Sequence, residues 1–392
     1  MRFILSIMLF ASISVSTEAF QELRVDSISV VKKSSIGSEK LPLVEDRAIK
    51  NVIFIIGDGT GLAQLFTGQA NLVGTDNWLN IQRMPVTGLV TTHAANRLIT
   101  DSAAGATAYS CGIKTNNGMI GQLPDGKPCK TLLELAEDKG MTTGLVATST
   151  ITHATPASFA SHIDSRSKQA EIAEQFLLSE VEILFGGGLE YFIPQNDSVS
   201  LREDDRNLIT EFTDHGYDFV ENLDQMIESE SNKILGLFSD SGIPSIDRTP
   251  TLGEMTEKAI YSLNNNESGF FLMVEGSQID WAGHANDVNY ALRELADFDA
   301  AVKSILDFAT EDGETLVILT ADHETGGMNV LSGSNEEQLK IVWTTDYHTG
   351  IPVPIMAYGP HAIEFTGWWD NTDIAKKIAK LSGLGELPII SE

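Results

Sequence analysis

The chain is poor in cysteine, in basic residues and in long apolar runs, and each scarcity closes off a class of function. Cys111 and Cys129 are the only cysteines among 392 residues, too few for a cysteine-built metal site. In an oxidising compartment they either pair or remain as two buried thiols. Lys and Arg number 26 against 55 Asp and Glu, a formal net charge of -29. So acidic a surface repels nucleic-acid backbones and argues against polyanionic partners. A site that handles phosphate must therefore concentrate positive charge locally. Beyond the N-terminus no apolar run is long enough and free enough of charge to span a bilayer. The apolar share, 42%, is ample for a sizeable buried core.

The first residues, MRFILSIMLFASISVSTEAF, combine an early Arg, an apolar run and small residues. That is a signal-peptide pattern covering 1–19, with cleavage expected after Ala19, so the mature protein is expected to be exported, either periplasmic or secreted. Residues 20–48 are polar and aperiodic and read as an extended arm. From 49 to 392 the pattern fits one catalytic domain, with less regular insertions near 190–230 and 331–347.

Within that domain NVIFIIGDG is a short, continuous apolar run that empties into a Gly-Asp-Gly loop, as a strand buried on both faces does. The same grammar recurs at TTGLVAT, VEILFGGG, KILGLF, GFFLMVEGS, ETLVILTADH and IPVPIMAYG. Helical patterns lie between them: TLLELAEDKG, LGEMTEKAIYSL and YALRELADFDAAVKSILDFA. Alternating strand and helix predicts an α/β fold, a doubly wound, largely parallel sheet between helices. In such sheets ligands bind at the carboxyl ends of the strands. Asp58, Glu275 and Asp322 all fall at those ends. One such acid is ordinary solvation, whereas three on one rim point to bound cations.

Asp280 and His284 are four residues apart, one turn of a helix, so they can share an ion. Asp322 and His323 are adjacent at a strand end, and His348 precedes another strand. Three imidazoles with several carboxylates form a nitrogen and oxygen set suited to Zn²⁺. Glu275 with a hydroxyl such as that of Thr155 makes a harder, all-oxygen set suited to Mg²⁺. In TDSAAGATA, Ser102 begins a run of small residues where a helix should start. It is either a cap beside Asp101 or a hydroxyl presented at a bare helix end, where backbone N–H groups favour an anion.

IGDGTG, TDSAAGATA, TSTITHATPASFASHIDSR, LMVEGSQIDWAGHAND, LTADHETGG and HTGIPVP, in this order, resemble the bacterial alkaline phosphatases from about residue 50 onward. The resemblance implies a metal-dependent phosphomonoesterase, usually a homodimer, acting on small phosphate monoesters with two Zn²⁺ and one Mg²⁺. It further implies that Ser102 is the nucleophile that becomes phosphoserine and that Arg166 grips the phosphate. Asp280, His284 and His348 resemble the ligands of one zinc, and Asp58, Asp322 and His323 those of the other. Asp58 would also bridge to magnesium, which Thr155 and Glu275 would hold. The best-known enterobacterial pattern has Asp and Lys where this chain has His153 and Trp281, a pair similar to that of marine and cold-adapted members. His153 is then expected near the magnesium, as a ligand or a hydrogen-bonding neighbour. Trp281 is expected near the phosphate, where a Lys would hold product by charge and a Trp does not.

Overall fold

The computed structural model describes residues 25–31 and 39–390; the expected signal segment lies outside the described residues. Among these, the strands are β1 (Val25–Ser29), β2 (Asn51–Gly57), β3 (Val86–Thr91), β4 (Thr142–Thr150), β5 (Ile183–Gly187), β6 (Asp218–Val220), β7 (Ile234–Leu237) and β8 (Phe270–Gly276). They continue with β9 (Thr315–Thr320), β10 (Glu324–Thr325), β11 (Asn329–Val330), β12 (Gln338–Val342), β13 (His348–Thr349), β14 (Val353–Tyr358) and β15 (Gly367–Asp370). Ten of them form one sheet in the order β15-β3-β14-β9-β2-β8-β4-β5-β7-β6. Its pairings are parallel except on the two sides of β14, which runs against its neighbours β3 and β9. Each apolar run expected to be a strand is one.

The central strands β2, β8 and β9 are buried at every position and largely apolar because both of their faces are covered. In β2, Val52, Phe54 and Ile56 point into one buried cluster and Ile53 and Ile55 into another, the alternation a pleated strand imposes. The first cluster lies under the helices Ser102–Cys111, Leu132–Asp138, Ala154–Ala160 and Asn371–Leu381, which supply Ala103, Leu133, Phe159 and Ile378. The second lies under Leu252–Leu263 and the long helix Val288–Asp312. A layer of helices thus covers each face of the sheet, as the strand–helix alternation predicts.

The less regular segments turn out to carry structure. Val25–Ser29, within the expected arm, pairs antiparallel with β12, which lies in the 331–347 stretch. β6, from the 190–230 stretch, is an edge strand of the main sheet. Cys111 and Cys129 form a disulfide, closing the question that composition left open. No helix among the described residues is long and apolar enough to cross a membrane.

Candidate active site

Three neighbouring parallel strands, β9, β2 and β8, end side by side and deliver the acids. Asp58 follows β2, Glu275 is the penultimate residue of β8, and Asp322 lies two residues past β9. All three side chains are fully buried. Against them sits the helix Ser102–Cys111, with Asp101 as its N-cap: Asp101 Oδ1 accepts from Ala104 N at 3.0 Å. Ser102 is therefore the first helical residue, and Asp101, not Ser102, is the cap. Glycine at 105 lets this helix approach the strand end, because a Cβ there would lie 3.0 Å from Asp322 Cβ. Ser102 Oγ then sits 3.3 Å from His323 Nε2.

The imidazoles converge. His323 Nε2 is 3.3 Å from Asp322 Oδ2 and 3.6 Å from Asp58 Oδ1. His284, one helical turn beyond Asp280, brings Nε2 to 3.4 Å from Asp280 Oδ2. His348, on β13, brings Nε2 to 3.5 Å from Asp280 Oδ1 and 3.2 Å from His284 Nε2. Three sets of donor atoms each lie within 4.8 Å of one another: Asp280, His284 and His348; Asp58, Asp280 and His323; and Asp58, His153 and Glu275. Asp58 belongs to two sets and so stands between them; Asp322, expected beside Asp58 and His323, is in none of the three. Asp280 also belongs to two, which the spacing did not suggest.

Electrostatics and unmade hydrogen bonds point the same way. Both Asp58 oxygens, Asp322 Oδ2, Glu275 Oε1, Thr155 Oγ1 and His153 Nδ1 are buried without a hydrogen-bond partner among the described residues. Buried polar atoms rarely stay unpaired, and a cluster of them suits a bound ion. Burial, with the nearby carboxylates of Asp322, Asp280 and Glu275, pushes Asp58 well above the usual carboxylate range. Burial also raises Asp280 and Asp322 and takes Glu275 to about 7. It pushes His323 well below the imidazole range and His348 to about 4. Cations among these groups would favour carboxylates ionised and imidazoles neutral. The residues present therefore fit metal ions.

Arg166 is held from two sides. Its Nη1 donates to Asp101 Oδ2 at 3.2 Å and its Nη2 to His153 Nε2 at 3.0 Å. His153 must accept and so stays neutral, with burial and the guanidinium lowering its pKa to about 3. Trp281 packs edge-on against His153, ring centroids 6.2 Å apart. Two contributors escaped the sequence reading. Asp101, named there only as the neighbour of Ser102, caps the helix with one oxygen while its second takes Gly118 N and Arg166. Thr325, inside a quoted motif, donates to Asp280 and faces His323; its only sequence signal is that it lies two residues from His323, which in extended backbone means a shared face.

The family model for alkaline phosphatase matches residues 49–336 and 328–384. Alkaline phosphatase 3 of Bacillus subtilis (strain 168) is 38% identical, over 85% of this chain and 88% of its own. The alkaline phosphatase of the Antarctic bacterium TAB5 is 36% identical, covers 87% of this chain and 100% of its own, and superposes with a TM-score of 0.79. A histidine-to-glutamate mutant of the TAB5 enzyme, with Mg bound in its M3 site, is 35% identical with a TM-score of 0.78 and the same coverage. With the family model spanning most of the domain and these relatives matching along nearly their whole length, the chain belongs to the alkaline phosphatase family and is a phosphomonoester-hydrolysing enzyme.

Proposed function

We propose that the chain is an exported, homodimeric phosphatase that hydrolyses small phosphate monoesters at alkaline pH through a phosphoserine on Ser102, with two Zn²⁺ and one Mg²⁺. The observation that carries this reading is the placement of Ser102 Oγ against His323 at the rim where Asp58, Glu275 and Asp322 converge with unpaired oxygens. Asp280, His284 and His348 would hold one zinc. Asp58, Asp322 and His323 would hold the second. Magnesium would take Thr155 and Glu275 and share Asp58. Bound there, the cations would supply the positive charge that stabilises attacking and leaving oxygens and would acidify hydroxyl and water.

The chain's own groups account for the rest. Phosphoryl transfer asks mainly for positioning and charge. Ser102 Oγ forms the new bond to phosphorus as the ester P–O bond breaks and the alcohol leaves. Water then makes the second displacement, releasing inorganic phosphate and restoring the hydroxyl. Arg166 offers two N–H donors in a fork that matches two phosphate oxygens; Asp101 and His153 fix that fork before substrate arrives. His153 Nε2 accepts from Arg166, so in the neutral ring the proton sits on Nδ1 and leaves no lone pair for magnesium. His153 would serve there as a hydrogen-bonding neighbour beside Asp58 and Glu275. Trp281 closes the same side without adding charge.

The test is Ser102→Ala with metal analysis and p-nitrophenyl phosphate turnover. Activity should fall by about 10³-fold or more, given how much a nucleophile contributes, with metal content unchanged. Undiminished turnover would remove Ser102 from the reaction. A wild-type protein that cleaves the corresponding diester faster would replace the monoesterase reading.

A further inference from the structure

We infer that Thr325 is a positioning residue whose single hydroxyl orients a ligand of each zinc, fixing the tautomer of His323 and the pose of Asp280; the inference rests on the metal centre proposed above.

The three imidazoles all turn Nε2 inward, so each needs a partner for Nδ1 on the outside. His284 Nδ1 lies 2.7 Å from Asp346 O and His348 Nδ1 2.8 Å from Thr100 O. A carbonyl can only accept, so in both rings the proton sits on Nδ1 and the lone pair on Nε2 faces the centre. His323 is held differently. Its Nδ1 lies 3.2 Å from Thr325 Oγ1, and that hydroxyl makes a short hydrogen bond to Asp280 Oδ1. A hydroxyl has one proton. Given to the carboxylate, it leaves only lone pairs for His323, which must therefore donate from Nδ1. The Nε2 lone pair of His323 is then directed at Ser102, Asp58 and Asp322.

Of the three outer anchors, Thr325 is the one made by a side chain, and it serves both clusters, since Asp280 belongs with His284 and His348. Its position leaves no slack. Thr325 is fully buried. A Cβ on Gly59 would come 2.8 Å from its Oγ1, and one on Gly283 would come 2.8 Å from its Cγ2. Two glycines thus clear the space that holds the rotamer.

The experiment measures zinc affinity of the metal-loaded enzyme against a competing chelating dye, with Thr325→Val and Thr325→Ser beside the wild type. Valine keeps the shape and removes the hydroxyl; serine keeps the hydroxyl and removes the methyl that packs on Gly283. Outer partners of this kind are worth about 10–100-fold in metal affinity. Thr325→Val should weaken both zinc equivalents by that factor, and Thr325→Ser should stay within about threefold of wild type. Wild-type affinity in the valine variant, or loss of one equivalent only, overturns the inference. A loss of tenfold or more in the serine variant overturns it too, and that arm decides even if the valine protein does not fold. A wild-type enzyme that binds no zinc would sink the metal centre itself, a result distinct from any difference between variants.

Discussion

Gly105→Ala sets helix propensity against room at the site. Gly105 lies inside the helix that starts at Ser102, four residues from its N-cap. Alanine there should gain about 0.5–1 kcal/mol, because glycine is the poorer helix former. Against this, the new methyl would stand 3.0 Å from Asp322 Cβ and 3.1 Å from Asp322 O. Neither atom is the end of a flexible chain, so the helix or the strand end must move by some tenths of an ångström, and overpacking of this kind costs about 1–3 kcal/mol. The two terms partly offset, and stability should fall by about 0–2.5 kcal/mol. Catalysis has no such offset. The displaced groups are Ser102 and the Asp322–His323 pair, 3.3 Å apart at Oγ and Nε2. A misplacement of about 1 Å can cost about 10²-fold, so a shift of some tenths should cost roughly tenfold in kcat/KM. Urea unfolding and p-nitrophenyl phosphate kinetics on one preparation read both quantities. An alanine variant with wild-type kcat/KM would refute the argument that small residues here keep space around a reactive oxygen.

The remaining predictions concern stability. Burial pushes Glu137 from 4.5 up to about 7, against the Thr143 hydroxyl and with help from Glu182. The folded protein thus holds a proton the unfolded chain releases, so this carboxyl's stabilising share is complete below about pH 4.5 and is lost as pH rises through 7. Glu137→Gln should therefore stabilise the enzyme by about 1–2 kcal/mol at pH 8–9 and leave it unchanged or weaker near pH 4, as urea midpoints at both pH values would reveal. The Cys111–Cys129 bridge joins residues 18 apart, a loop length worth about 3 kcal/mol of unfolded-chain entropy. Reduction, or Cys129→Ala, should lower unfolding free energy by about that amount; an unchanged urea midpoint would show that the bridge adds nothing to stability.

The sequence was most informative where local composition decides structure. Continuous apolar runs ending in Gly or an acid marked the buried strands, and the positions of Asp58, Glu275 and Asp322 follow from where those runs stop. What it could not convey depends on partners far along the chain. β14 reads like its parallel neighbours, yet runs against them, because direction follows the path of the connection and not the residues of the strand. Val25–Ser29 carries no strong strand pattern and is ordered by β12, more than 300 residues away. Trp368 and Trp369 are adjacent in an edge strand, where side chains alternate, so Trp369 packs against the core while Trp368 is 62% exposed. Asp101 escaped because one of its oxygens is shared between Gly118 and Arg166, and Thr325 because its hydroxyl reaches Asp280, 45 residues away.

The groups around Ser102 do not all rest on the same footing. Asp58, Glu275 and Asp322 sit at the ends of adjacent core strands, and parting them means unzipping the middle of a ten-stranded sheet. His284, with 35% of its side chain exposed, and His348, on a two-residue strand paired with β10, are steadied by carbonyls of Asp346 and Thr100. Local opening follows the weakest hydrogen-bonded segments. One wall of the catalytic chamber is therefore fixed masonry and the other is hung on loops, so the chamber can loosen on one side while the fold around it stays closed.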